Sequence, residues 1–415
     1  MNKLNIFVID MNSSNNNFIL KIDDNINIII NIHKLCNYKI NKNIKKIINV
    51  ITIYDKINNI HILFQNINCC NKLITQFHDI LYKYNKKHNI KLFNCYDESI
   101  NFINELYLYK DIVLDPNKNP NTYLQYVVSR VPSNYDLKIF SSNKSSSLFP
   151  LTTAVGMGSK YNSYFVHILP KKLLYTRNIY LIGKSITFDT GGLNLKTGDF
   201  SDMKIDMIGS GILISVINLL SKNNISTNYN IHTLIPIAEN MIGNNALRPG
   251  MVLKTISNKT IEVINTDAEG RLCLVDGIEY ALKFIKDGDI IIDIATLTGN
   301  TDYITSGISS ICISNSKGEQ LSNQLINIGE NIGEYLDKIK IRHEYLDLLK
   351  SNIADIKNKN EEINSGCILA GVFLNYFVDN IVPWIHLDVA SSVYKDDMIN
   401  SYGINLLYEF IKQLE

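Results

Sequence analysis

Apolar residues along most of this chain come in blocks, with polar segments between them. Short runs dense in isoleucine, leucine and valine at residues 179–182, 231–237, 289–295 and 385–390 read as buried strands. Longer apolar stretches with helical spacing at 206–220, 272–284 and 368–378 alternate with them. That alternation predicts a largely parallel sheet covered by helices on both faces. Towards the beginning the blocks are smaller: runs at 4–9, 26–30, 50–53, 61–64 and 90–93, separated by polar helical stretches such as 72–84, predict a small α/β unit. Ile100, Ile103, Leu106 and Leu108 recur at helical spacing, and Pro116 and Pro120 interrupt the pattern. The predicted organisation is therefore α/β in two domains. Residues 1–96 form a small N-terminal α/β domain, 97–114 a connecting helix, and 115–415 a larger domain whose central, mostly parallel sheet is flanked by helices.

Composition narrows the function classes. A chain of 415 residues with 46% hydrophobic content can bury a sizeable core. A net charge of +1 supplies no electrostatic footprint for nucleic acid. The strongest apolar run, 212–220, is interrupted by Asn218 and stops at Ser221 and Lys222, short of the roughly 20 residues that span a bilayer, so no membrane segment is expected. The first ten residues lack a long apolar core and a small-residue cleavage site, and read as a first strand, not a signal peptide. Seven cysteines at irregular spacing, Cys69 and Cys70 among them, read as reduced thiols of a cytoplasmic protein.

Candidate chemistry is concentrated in two places. The run Asn265-Thr266-Asp267-Ala268-Glu269-Gly270-Arg271-Leu272 sets two carboxylates and a guanidinium in a short segment leading out of an apolar stretch. Asp267 and Glu269 are two apart, so an extended backbone would point both the same way, with Arg271 at the same spacing beyond. Taken alone, such a segment reads as a solvated acidic turn capping a helix. A second cluster changes the balance: Lys184, directly after the strand-like run 179–182, is followed by Asp189, Gly191, Gly192, Lys196 and Asp206. Burial, and still more a nearby dication, disfavours the ammonium form, so Lys184 is a candidate neutral amine ligand beside the hard oxygens of Asp189 and Asp206. The paired glycines let the backbone turn closely past those carboxylates.

On these residues the chain resembles the leucyl aminopeptidases, the cytosol aminopeptidase family, whose signature octapeptide stands complete at Asn265–Leu272. The resemblance continues through Lys184, Asp189, Lys196, Asp206, the segment Ala295-Thr296-Leu297-Thr298-Gly299 and the segment Trp384-Ile385-His386-Leu387-Asp388-Val389-Ala390, covering the chain from about residue 111 onward. It implies a two-metal exopeptidase in which Asp189 and Glu269 bridge two divalent ions. Lys184 and Asp206 would complete one site, and Asp267 the other. Such centres hold their ions roughly 3.5 to 4 Å apart. The resemblance further implies that Lys196 polarises the scissile carbonyl and that Arg271 holds a bicarbonate ion as proton relay. Backbone at Leu297, Thr298 and Gly299 would line the substrate, with Met203, Ala390 and Val393 as walls of an apolar pocket for the first side chain. An oxygen and amine ligand set accepts Zn²⁺, Mn²⁺, Mg²⁺ or Co²⁺, and none of the eight histidines stands in a His-Glu-x-x-His pattern. Short peptides as substrates, a homohexamer and a cytosolic setting complete what the family implies. The polar stretch 357–366 corresponds to a region near the active-site mouth and is expected to be a mobile loop.

Some residues stay open at the level of sequence. His386 is expected in the core, hydrogen-bonded to a backbone carbonyl, with a supporting role beside the metals as the alternative. Asp388 is expected either to orient a lysine or backbone near the site or to cap the next segment. Ser185, Ser391 and Asn300 stand where the family has glycine or a small apolar residue, which predicts an altered pocket shape and, at a positive φ, strain of about 1 to 3 kcal/mol. Two rival readings are a catalytically silent relative acting as a structural module and a nucleic-acid-binding role beside peptidase activity.

Overall fold

The computed structural model describes residues 7–10, 17–22, 26–31, 59–65, 89–93, 97–145, 148–362, 366–395 and 398–414. The chain divides into two compact units, Met1–Tyr107 and Leu108–Glu415.

In the first unit, β1 (Phe7–Asp10), β2 (Asn17–Ile22), β3 (Ile26–Asn31), β4 (Asn59–Gln65) and β5 (Asn89–Phe93) form one sheet in sequence order. The first three strands pair antiparallel, and β3, β4 and β5 pair parallel. Four of the expected apolar runs fall on β1, β3, β4 and β5, whereas β2 was hidden by its asparagine-rich flank. The expected run at 50–53 and helix at 72–84 lie outside the described residues. Helix α1 (Asp97–Leu114) runs across the division between the units.

The second unit opens on a proline turn. Asp115 Oδ1 accepts the Asn117 N–H, and Asn119 caps α2 (Pro120–Ser129) through a reciprocal capping box with Thr122. The chain then builds β6 (Tyr135–Ser141), α3 (Pro150–Val155), β7 (Tyr164–Pro170), β8 (Arg177–Gly183), β9 (Ser185–Asp189), α4 (Ile208–Lys222) and β10 (Tyr229–Asn240). Two short strands, β11 (Val252–Lys254) and β12 (Thr260–Glu262), precede α5 (Gly270–Leu282). After these come β13 (Ile290–Ala295), α6 (Thr301–Thr305), β14 (Ser310–Ser314), α7 (Glu319–Ile332), β15 (Leu336–Lys340), β16 (Ile356–Lys357), α8 (Gly366–Val378), β17 (Trp384–Asp388) and α9 (Ile404–Lys412).

The main sheet runs β15-β14-β17-β13-β8-β10-β7-β6, with β9 pairing beside β10. Its centre, β17-β13-β8-β10, is parallel as expected, while β14 against β17 and the edge pairs of β7 are antiparallel. Adjacent residues of β8 establish that both faces are covered. A side chain at Gly183 would strike Ser210 of α4, and one at Gly277 of α5 would strike Ile182. Residues 182 and 183 point to opposite faces of a strand, so α4 and α5 pack on opposite sides. Burial follows: the described residues of β8, β10 and β13 are almost continuously inaccessible.

The apolar stretch is longer than the run at 212–220: by length and composition Ser201–Lys222 could cross a membrane. However, 89% of that window is buried inside the protein, as befits a central core helix. Among the described residues, Cys273, Cys312 and Cys367 are free and buried; the other four cysteines lie outside them.

One buried polar pair sits in this core away from the carboxylates. His167 of β7 meets His232 of β10 at 3.0 Å, and Tyr180 stacks on His232 at 4.8 Å. Burial pushes the His167 imidazole down to about 3 and that of His232 to about 4. The folded state therefore stays neutral there while unfolded histidine takes up a proton near pH 6.5. Stability contributed by the neutral pair is complete above about pH 6.5 and declines towards pH 4, by at most about 1.4 kcal/mol per pH unit for each histidine. Thermal melts between pH 7 and pH 4.5 should record a falling Tm in the native chain. The fall should flatten in a His167→Gln/His232→Gln variant, and an equally steep fall there would refute the assignment.

Candidate metal centre

The carboxylates meet at the carboxyl ends of the central strands, the position that sheets of this kind use for sites. Lys184 follows β8 directly, and its backbone is pinned on both sides: its N–H donates to Ile294 O, and its carbonyl accepts the Ser210 N–H. The residue is 3% exposed. Its Nζ lies 2.8 Å from Asp206 Oδ2 and 2.9 Å from Glu269 Oε1, and donates to Thr296 O at 3.0 Å. Three N–H groups thus meet three oxygens. Thr296 also donates its hydroxyl to Asp206 Oδ1 at 2.8 Å.

The second lysine makes a parallel arrangement. Lys196 Nζ lies 2.8 Å from Asp189 Oδ2 and bonds Asp267 Oδ1 as well. Asp189 is aimed by Asn240, whose amide donates to its Oδ1 at 2.7 Å, and by the Gly191 N–H at 2.9 Å. Gly191 and Gly192 both have positive φ, and a side chain on Gly192 would press on Asn240 and Thr266. The close backbone turn expected there is present. Ligand oxygens of Asp189, Asp267 and Glu269 lie within 4.8 Å of one another.

The octapeptide reaches this geometry differently from the extended-strand reading. Residues 265–268 form a turn, with the Ala268 N–H donating to Asn265 O, and Glu269 has helical dihedrals at the start of α5. Asp267 and Glu269 converge through the turn and not by strand alternation. Glu269 is 1% exposed and makes no side-chain cap, which sets aside the solvated capping turn. Gly270 then solves a packing problem: a Cβ there would lie 2.4 Å from Lys184 Cε and 2.7 Å from its Nζ.

Electrostatics follow from burial. Removal from water opposes the Lys184 charge, but the carboxylates of Asp206, Glu269 and Asp189 outweigh it and hold the amine above its ordinary range. These carboxylates favour the ammonium form of Lys184, while the neutral amine expected from the sequence is the form that would face a dication. Coordination by Lys184 would need a dication to displace a proton. Burial, then repulsion from Glu269 and Asp206, pushes the Asp189 carboxyl well up, and burial pushes Asp206 up to about 6. Asp267 is also raised by burial. Burial acts the same way on Glu269 but is outweighed by Lys184 and Lys196, leaving it low. The four carboxylates exceed the two lysines that pair with them, and Glu269 Oε2 is buried with no hydrogen-bond partner. Excess negative charge and an unspent buried oxygen are what a cation site requires.

Arg271 lies in the first turn of α5, 4% exposed, and its Nη1 donates to Asn358 O at 2.8 Å. Burial lowers its guanidinium to about 10, against the pull of Glu269 and Asp388. Asp388 is fully buried, and its role is the backbone-orienting one. It accepts the Leu297 N–H at 3.0 Å, the Thr298 N–H at 3.4 Å and the Thr298 hydroxyl at 2.5 Å, besides the Ala390 N–H. Gly299, next along that loop, is open to solvent with nothing near its missing side chain. Met203 and Ala390 are half-buried beside Asp206 and Asp388, whereas Val393 is fully buried and offers no surface.

His386 is a core histidine, but its partner is the Asp293 carboxylate at 2.5 Å and not a backbone carbonyl. Burial works against its charge, and Asp293 outweighs it and raises the imidazole. Ser185 and Ser391 carry no strain, since neither has positive φ. Ser185 accepts from Ser210 at 3.0 Å, and Ser391 donates to Ser309 O at 2.9 Å. The stretch expected to be a mobile loop begins instead with β16 and the fully buried Asn358. Asn240, Thr296 and Asn358 were missed because nothing marks one amide or hydroxyl among many in so asparagine-rich a chain.

Residues 108–407 match the model of the cytosol aminopeptidase family, catalytic domain. The chain belongs to that family. Its relatives include a "Probable cytosol aminopeptidase" of Protochlamydia amoebophila, 38% identical over 242 residues, 56% of this chain and 47% of that protein. Another, of Rickettsia peacockii, is 34% identical over 318 residues, 73% of this chain and 63% of that protein. The chain thus spans less than two thirds of the length of these relatives. Among solved structures, the bottromycin maturation enzyme BotP in complex with Mn shares the fold, with a TM-score of 0.77 at 22% identity over 90% of this chain and 86% of that one.

The contact at Gly270 generates a test. Gly270→Ala sets a methyl group against Lys184, an overpacking cost of about 1 to 3 kcal/mol. Calorimetric titration with Mn²⁺ should record affinity weakened on the order of 10-fold or more in a folded variant. Unchanged affinity would mean that Lys184 does not need its observed place.

Proposed function

We propose that this chain is a metal-dependent aminopeptidase that hydrolyses the first peptide bond of short peptides, favouring leucine and other apolar first residues. The observation that carries the reading is the convergence of Lys184, Asp189, Asp206, Asp267 and Glu269 in one cluster with more carboxylates than lysines. Family membership supports it. These five residues would hold two divalent ions, Zn²⁺ or Mn²⁺, with Mg²⁺ or Co²⁺ as further candidates by ligand hardness. When bound, such ions polarise a carbonyl and lower the pKa of bound water towards neutral.

The protein's own groups have separable tasks. Lys196 is 21% exposed at its side chain against 4% for Lys184. It is therefore the cation able to meet a substrate carbonyl oxygen and stabilise the negative charge that develops there. Arg271 presents a buried positive charge with Nε unspent, a fit for the bicarbonate ion that would accept and return a proton. Leu297, Thr298 and Gly299, held by Asp388, would present backbone to the peptide, with Met203 and Ala390 beside its first side chain. A homohexamer in the cytosol is the setting that family membership suggests. Residues 1–96, 97–114 and 115–415 would serve as N-terminal domain, connector and catalytic domain, which the division within α1 and the family match from residue 108 support. A silent relative should have lost a ligand, and none is missing.

Glu269→Gln tests the reading with little change of shape. Release of leucine from Leu-Gly should fall on the order of 100-fold or more, and metal content measured on the same sample should drop from two ions towards one. Normal turnover with normal metal content would overturn the ligand assignment. A native chain loaded with Mn²⁺ or Zn²⁺ that never cleaves Leu-Gly would overturn the activity.

A further inference from the structure

We propose that Asn358 is a positioning residue of the metal centre: its amide locks the turn that carries Asp267 and Glu269, and its carbonyl aims Arg271. Asn358 follows β16 and extends that strand's pairing, with its N–H donating to Glu262 O at 3.0 Å. It is fully buried. Its Oδ1 accepts the N–H groups of Ile264 at 2.8 Å and Asn265 at 3.3 Å. Its Nδ2 donates to Asn265 O at 2.7 Å and Ala268 O at 3.3 Å. An asparagine amide has two donors and two acceptor lone pairs, so one turn consumes the whole group. The backbone carbonyl of the same residue accepts Arg271 Nη1 at 2.8 Å.

No other side chain of this length repeats this pattern. Aspartate would keep the acceptor facing Ile264 and Asn265 but set a second oxygen against two carbonyls, and alanine would leave all four backbone groups unanswered. A second tie runs between the same segments: Asn265 Nδ2 donates to Glu361 Oε1 at 2.6 Å, while Asn265 Oδ1 accepts the Asp267 N–H at 2.6 Å. The segment after β16 is thus the template on which the octapeptide turn is moulded. Displacing residue 358 shifts a ligand-bearing turn and a guanidinium together.

The inference rests on the aminopeptidase reading, and the experiment separates them. Asn358→Asp and Asn358→Ala, each alone and combined with Arg271→Met, are assayed with Leu-Gly at saturating Mn²⁺ and well below their melting temperatures. Mn²⁺ affinity is measured by calorimetry on the same proteins. In the single variants kcat should fall on the order of 10- to 100-fold with KM within about twofold, and Mn²⁺ affinity should weaken by a similar factor. In the Arg271→Met background the loss of Mn²⁺ affinity should persist, because the turn carrying Asp267 and Glu269 is still displaced, while the kcat losses should combine to less than their product, because the part that runs through Arg271 is already gone. A purely structural asparagine would lower the melting temperature and leave kcat and Mn²⁺ affinity at native values, which would overturn the proposal. Losses of kcat that multiply undiminished with Arg271→Met, or an affinity loss that vanishes in that background, would overturn it too. If the native chain releases no leucine, the aminopeptidase reading fails, and calorimetry on the variants still decides for or against Asn358. Should the alanine variant not fold, the nearly isosteric aspartate variant carries the same readings.

Discussion

A lysine ammonium held out of water between two carboxylates is the constraint from which the rest of this site follows. Lys184 can remain charged at 3% exposure only because Asp206 and Glu269 approach within ion-pair distance and Thr296 takes its third hydrogen. Removing one member of such a buried group leaves an uncompensated charge, a loss of about 3 to 5 kcal/mol. Three stretches far apart in sequence must therefore arrive together: the end of β8, the turn into α4 and the turn into α5. The glycines at 183, 209 and 270 leave the room that this meeting requires, each facing backbone or side chain closer than any Cβ tolerates.

Around this ion cluster the remaining parts are held by neutral amides and hydroxyls. Asn240 and Gly191 aim Asp189, Thr266 and Asn194 exchange hydrogen bonds beside it, and Asn358 grips the octapeptide turn. Neutral partners suit that task. They satisfy buried backbone without adding to a region already rich in negative charge, whereas another lysine or aspartate would shift every neighbouring titration.

Much of this was legible in the sequence. The octapeptide and the Lys184 to Asp206 segment named the charged residues, and block hydrophobicity located β8, β10, β13 and β17 with the helices between them. The central parallel order followed from that alternation. The antiparallel pairs did not, because strand direction leaves no mark in hydrophobicity, and the outermost strands β6 and β15 mix polar with apolar, partly exposed positions. Backbone conformation was the other blind spot. Residues 265–269 look extended by side-chain spacing, yet they turn, because Asn358 offers an alternative set of hydrogen bonds from almost a hundred residues away. Local sequence carries no record of a partner at that distance, and a stretch such as 357–366, polar and charged, looks like solvent-facing chain until the amide within it is found buried.

The saturation of Asp388 has a consequence for recognition. With both carboxylate oxygens engaged by Leu297, Thr298 and Ala390, the loop that ends in exposed Gly299 is set by contacts within the chain itself. Its ordering entropy is lost at folding, so a chain that docked there would give up only its own freedom. Such preorganisation favours discrimination by fit over accommodation by rearrangement.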